Sequence, residues 1–154
     1  MSQTALLADQ IRRAFEGEAW HGDSIGKILR GVNAAQAAAH PIKNAHSIWE
    51  LVLHVTAWDD AVRRRIGGSV VRLSGKQNFP PVNDTSEAAW RKAVQNLKQG
   101  HAELVKAVAA FPDARLRKRV PGKTQKYHDF YYMISGIVQH ELYHAGQIAI
   151  LKKT

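Results

Sequence analysis

Apolar side chains recur every three and four residues along three long stretches of this chain, and glycine and proline cut the stretches apart. Leu51, His54, Val55, Trp58 and Val62 make one stripe. Ala89, Ala93, Leu97, Leu104 and Val108 make a second, and Phe130, Ile134, Ile137, Val138, Ile148 and Leu151 a third. That period places apolar groups on one face of an α-helix, whereas a strand would alternate them. Twenty-two alanines and the scarcity of β-branched runs agree with it. A shorter helix over residues 3–16 carries Leu6, Leu7, Ile11, Ala14 and Phe15.

The breaks set the topology. Gly17 and Trp20-His21-Gly22 end the first helix, Asp23 or Ser24 opens a short piece bearing Ile25, Ile28, Leu29 and Val32, and His40-Pro41 ends this arm. Asn44 or Ser47 caps the next helix, which runs to about Ile66 before Gly67-Gly68. Residues 67–84 form a connection long enough to be a functional or crossing loop. Asp84 with Glu87 has the pattern of a capping box for a helix through about Ala110, and the last helix starts near His128. The expected fold is all-α, a single domain over 1–154: a four-helix bundle with a broken N-terminal helical arm and long connecting loops.

Composition narrows the class. At 45% hydrophobic and 23% charged residues the chain reads as an ordinary globular domain, and no apolar run approaches the roughly 20 residues of a membrane span. There is no cysteine, which excludes disulfide scaffolds, thiolate zinc fingers and cysteine nucleophiles. The N-terminal stretch lacks a basic region followed by an apolar one, so a cytoplasmic location is expected. The net charge of +9 raises the question of nucleic acid. Arg63-Arg64-Arg65 and the run Arg115, Arg117, Lys118, Arg119 lack interleaved aromatics, and read instead as solvated basic faces. Asp59 and Asp60 are expected at the surface, offsetting Arg63 and Arg64. Trp49 and Trp58 are expected inside the bundle.

Eight histidines are present, and only His140 and His144 stand four apart. Both fall on the stripe Ile137, His140, His144, Ile148, Leu151, where apolar groups belong, and a buried imidazole needs a partner. His54 occupies an equivalent place on another helix. Three inward imidazoles on facing helices suit a metal ion, with positions left open for water or substrate. The string His140-Glu141-Leu142-Tyr143-His144 also matches the H-E-x-x-H of zinc proteases. However, the residues after His144 hold no His, Glu or Asp as a third ligand, and Glu141 falls off the histidine stripe.

Three segments, AFEGEAWHG at 14–22, HSIWELVLHVTAWDDAV at 46–62 and IVQHELYHAGQIAILKK at 137–153, resemble the DinB/YfiT-like superfamily of small metal-binding four-helix bundles. The most specific is the last, with His-x-x-x-His followed by Ala-Gly-Gln-Ile. The resemblance implies His54, His140 and His144 as metal ligands, and frequent homodimers. It implies an activity such as metal-dependent S-transfer from a low-molecular-weight thiol. Zinc and nickel lead as the metal, and iron or copper also suits three imidazoles. A non-catalytic metal or ligand-binding module is the alternative, with a nucleic-acid-associated protein behind it.

Overall fold

The computed structural model describes residues 1–154. Six α-helices carry the chain: α1 (Gln3–Glu16), α2 (Ile25–Ile28), α3 (Ala34–Ala38), α4 (Ile48–Ile66), α5 (Glu87–Ala109) and α6 (Phe130–Leu151). Most begin where a short polar side chain replaces the missing intrahelical acceptor. Ser2, Asn33, Ser47, Ser86 and Asp129 each accept a backbone N–H from the first turn of the helix they open. At α4 the arrangement is reciprocal, since the Glu50 carboxylate accepts the Ser47 N–H at 2.8 Å while Ser47 Oγ accepts the Glu50 N–H at 3.1 Å.

Two expected starts are displaced. Ser86, not Asp84, caps α5, and Asp84 instead accepts the Ser86 N–H. Glu87 reaches across to accept the Ala34 N–H at 2.8 Å, so it supports the first turn of α3 rather than its own cap. The last helix opens at Phe130, because Asp129 takes the Tyr132 N–H and holds an extended conformation itself.

α5 and α6 each pack against both α1 and α4, which gives the ring order α1, α5, α4, α6. The broken arm of α2 and α3 covers one end. It is tied down by the Trp90 indole N–H on the Val32 carbonyl (2.7 Å) and the Gln36 amide on the Lys152 carbonyl (3.1 Å). Gly26 permits the closest approach, since a Cβ there would lie 2.8 Å from the Phe15 carbonyl oxygen. The far end of α1 is held by Asp113, whose carboxylate accepts the Gln3 and Thr4 N–H groups and the Thr4 hydroxyl.

The apolar interior divides in two. One cluster holds Phe15, Val55, Leu97, Ala145 and Ile148; the other holds Ile11, Val62, Leu104, Ile134 and Ile137. Between them along the helices lie Asp59, His101 and Glu141, each at most 1% exposed. The surface position expected for Asp59 is therefore wrong. Asp60 alone meets Arg63 and Arg64, at 2.6 and 3.7 Å, while Asp59 keeps the phase of Val55 and Val62 and turns inward. Burial raises the Asp59 carboxyl above its usual range and lifts Glu141 to about 8. Trp49 is buried as expected and tilts against Trp90 at 5.2 Å. No helix is long and apolar enough to cross a membrane.

Candidate metal centre

The packing of α4 on α6 brings His54, His140 and His144 together. His140 Nε2 lies 3.0 Å from His54 Nε2 and 3.1 Å from His144 Nε2. Nitrogens about 2.1 Å from one ion and roughly 90–95° apart at it are separated by about 3.0–3.1 Å. The spacing therefore fits a shared ion.

The other ring nitrogens decide what the three Nε2 atoms offer. His54 Nδ1–H donates to the Asn78 carbonyl at 2.7 Å, and His144 Nδ1–H donates to Gln147 Oε1 at 2.6 Å. With Nδ1 protonated, Nε2 of each neutral ring carries a lone pair, and both lone pairs are directed toward His140. This is how metal-binding histidines are held by their outer partners. His140 Nδ1 is buried with no partner. Its Nε2 proton, if present, could serve only one of two neighbours. A cation satisfies all three at once.

Electrostatics favour the same state. Burial, with the neighbouring His144 and His54, pushes His140 down to about 3. Burial lowers His54 and His144 as well, although the Asn78 carbonyl and Gln147 pull each back upward. At neutral pH the rings are uncharged, which is the form that binds metal.

The loop after α4 completes the site, as its length suggested. Besides its carbonyl on His54, Asn78 accepts the Trp58 indole N–H through Oδ1 at 2.8 Å. Phe79 stacks on His54 at 4.1 Å and on His46 at 3.9 Å. No periodicity could have revealed Asn78, which acts through its backbone. Gln147 was legible as the residue three beyond His144 on the same helix.

A cavity of about 980 Å³ opens beside the histidines, reaching His140 and Trp58 at one end. Arg65, Arg117 and Lys123 line it, together with Tyr127, Tyr131, Tyr132 and Tyr143. Arg65 is buried, donates twice to the Val71 carbonyl (2.8 and 3.1 Å) and meets no carboxylate. Lys123 is held below the usual lysine range by burial and by Arg65 and Arg72; His128, also lining the cavity, is lowered by burial and by Lys123 and Arg65. Asp129 also lines the cavity and pairs with Arg117 at 3.1 Å, so the net positive charge there rests on Arg65 and Lys123.

Glu141, the carboxylate of the protease-like string, is fully enclosed on another side of α6, with Oε1 3.2 Å from His101 Nδ1. It has no path to solvent water beside the histidines. The zinc-protease geometry is absent.

Neither the curated proteins nor the solved structures contain a match. The sequence profile of the DinB superfamily matches residues 20–148, a span that takes in all three histidines, the loop that orients His54 and most of the cavity wall. The chain belongs to the DinB superfamily.

Proposed function

We propose that this protein is a divalent-metal-dependent enzyme, with His54, His140 and His144 as the metal ligands, that transfers a low-molecular-weight thiol to a small electrophile. The observation that carries the reading is the convergence of three Nε2 atoms at 3.0 and 3.1 Å, two of them fixed as lone-pair donors by Asn78 and Gln147. When bound, a divalent metal such as zinc or nickel supplies a Lewis acid that lowers a thiol pKa, so that the nucleophilic thiolate persists at neutral pH.

The chain's own residues do the rest. The Asn78 carbonyl and Gln147 fix the orientation of the outer two imidazoles. Phe79 covers His54 and keeps water from that ring face. Arg65 and Lys123 provide a positive wall for the carboxylates that small biological thiols carry, with Arg117 paired to Asp129 at the same wall, a use for the net charge that requires no nucleic acid. The tyrosines offer hydroxyl donors and aromatic faces for the second substrate. The cavity's size favours this reading over a non-catalytic metal module, since about 980 Å³ is ample for a small ligand next to His140. A cytoplasmic homodimer accompanies the proposal.

The test is elemental analysis of chelator-free protein, followed by the same measurement on His54→Ala, His140→Ala and His144→Ala. Each variant should lose the metal from this site, because two imidazoles compete poorly with water. Full occupancy in His54→Ala would refute the ligand assignment. Thiol consumption with model electrophiles, present in the metal-loaded protein and absent in all three variants, tests the reaction class.

A further inference from the structure

Asp59, His101 and Glu141 form a second polar constellation, in the middle of the bundle rather than beside the cavity. One residue comes from each of α4, α5 and α6. α5 and α6 are not neighbours in the helix ring, so a contact between His101 and Glu141 spans the bundle axis. His101 Nδ1 is 3.2 Å from Glu141 Oε1 and 3.6 Å from Asp59 Oδ2. All four carboxylate oxygens and both ring nitrogens are buried without a well-aligned hydrogen bond, although His101 Nδ1 is within ion-pair distance of both carboxylates. Phe15 stacks on the imidazole at 4.8 Å and closes that side.

Six unpartnered polar atoms in one buried layer are far outside the few per hundred residues that folded proteins tolerate. Leaving even one such group unsatisfied is destabilising, and a bare carboxylate more so. The layer therefore needs a neutralising partner, either protons held among its own groups or a cation. In the metal-free chain protons balance the layer: burial lifts Glu141 to about 8 and Asp59 above its usual range, and, although burial opposes it, the two carboxylates raise His101 to about 10. With those protons displaced, two carboxylates and a neutral imidazole carry two negative charges, which one divalent cation cancels. Ligand atoms about 2.1 Å from an ion and roughly 99–118° apart at it are separated by about 3.2–3.6 Å. Those are the spacings observed around His101 Nδ1.

We propose that Asp59, His101 and Glu141 are a second divalent-cation site, separate from the three-histidine centre, closed to solvent and structural in role. Two oxygens and one nitrogen suit an ion of the zinc, manganese or ferrous class rather than one that prefers sulfur. The ion would bind three helices at the point where the apolar core is interrupted, and would couple to folding as structural metals do. The enclosure means that loading takes place as the chain folds.

The test expresses the full chain in zinc-supplemented medium, removes loose ions by desalting, and counts zinc per chain in four forms. The wild type should hold two, His54→Ala one, Glu141→Gln one, and the double variant none. Glu141→Gln keeps side-chain volume while removing a charged ligand. Thermal melting of His54→Ala with and without zinc in the growth medium gives a second reading, with the zinc-grown protein melting higher. Equal zinc in wild type and Glu141→Gln would overturn the proposal and leave protons as the neutralising partner. If Glu141→Gln fails to fold, His54→Ala decides alone: one retained zinc supports the site, and none overturns it. A wild type with one zinc that Glu141→Gln loses and His54→Ala keeps would sustain this site while refuting the three-histidine one.

Discussion

Gln147 is the part of the proposed metal centre through which the orientation of a proposed ligand can be altered without touching that ligand. Its Oε1 accepts the His144 Nδ1 proton at 2.6 Å, and that bond selects the tautomer whose Nε2 lone pair faces His140. Asn78 does the same for His54 with a backbone carbonyl, which side-chain substitution cannot remove. Losing such an outer partner weakens metal binding by roughly 10–100-fold, or about 1.4–2.7 kcal/mol. Gln147→Ala should therefore bind zinc in that range more weakly, with the α6 helix intact because alanine is at least as good a helix former. Gln147→Glu gives the opposite sign, since a carboxylate can only accept, makes a stronger bond to Nδ1–H and raises the basicity of Nε2. Zinc affinity should rank Glu at or above Gln and both well above Ala. Competition against a chromophoric chelator at fixed pH measures the order. An Ala variant that binds as tightly as wild type, or a Glu variant as weak as Ala, would refute the claim that this bond sets the ligand tautomer.

Three further outcomes can be checked. In the metal-free chain His140 takes its proton only near pH 3, against 6.5 when unfolded, so its contribution to stability is present above pH 6.5 and is lost as pH falls toward 3. The loss is at most about 5 kcal/mol and is reduced by the ring's partial exposure, and urea midpoints in chelator should fall less steeply with acid for His140→Leu than for wild type. Leu104, fully buried in the cluster with Ile134 and Val108, should cost about 2–5 kcal/mol as Leu104→Ala in urea unfolding, and a loss under 1 kcal/mol would contradict its central place in that core. Light scattering should give a dimer, and a lone 17.2 kDa species at micromolar concentration would count against it.

The bundle and the three histidines were legible because both are statements about helical phase. His54, His140 and His144 interrupt apolar stripes, and a helix delivers residues of one phase to one side. Asp59 was legible by the same rule and was misread, because Arg63 four residues later offered a ready surface partner. The structure gives Arg63 to Asp60 at 2.6 Å, and Asp59 stays in step with Val55 and Val62. His101 lies between Leu97 and Leu104 at spacings of four and three, so a polar residue in core phase on α5 was the available signal. Asn78 and the Ser86 cap were not legible in this way. Both depend on where a loop is carried by the helices it joins, and loops have no period to read.

The H-E-x-x-H string shows what phase alone leaves undecided. In a zinc protease the glutamate beside the first histidine reaches water at the metal, so adjacency on the helix does not by itself exclude that role. The packing of α6 does. Its histidines meet α4 at His54, beside the cavity, while Glu141 is enclosed with Asp59 of α4 and His101 of α5. One five-residue string thus serves two constellations. Both are built on the same pair of helices, since α4 contributes His54 and Asp59 and α6 contributes His140, His144 and Glu141. The register between α4 and α6 that closes the inner layer is therefore the register that brings the Nε2 atoms within 3.1 Å of one another across His140. A polar layer in the core, costly when its charges are not neutralised, penalises any slip between the two helices that a purely apolar interface would accept more readily. In this bundle, the buried polar layer and the three-histidine cluster depend on one register of α4 against α6.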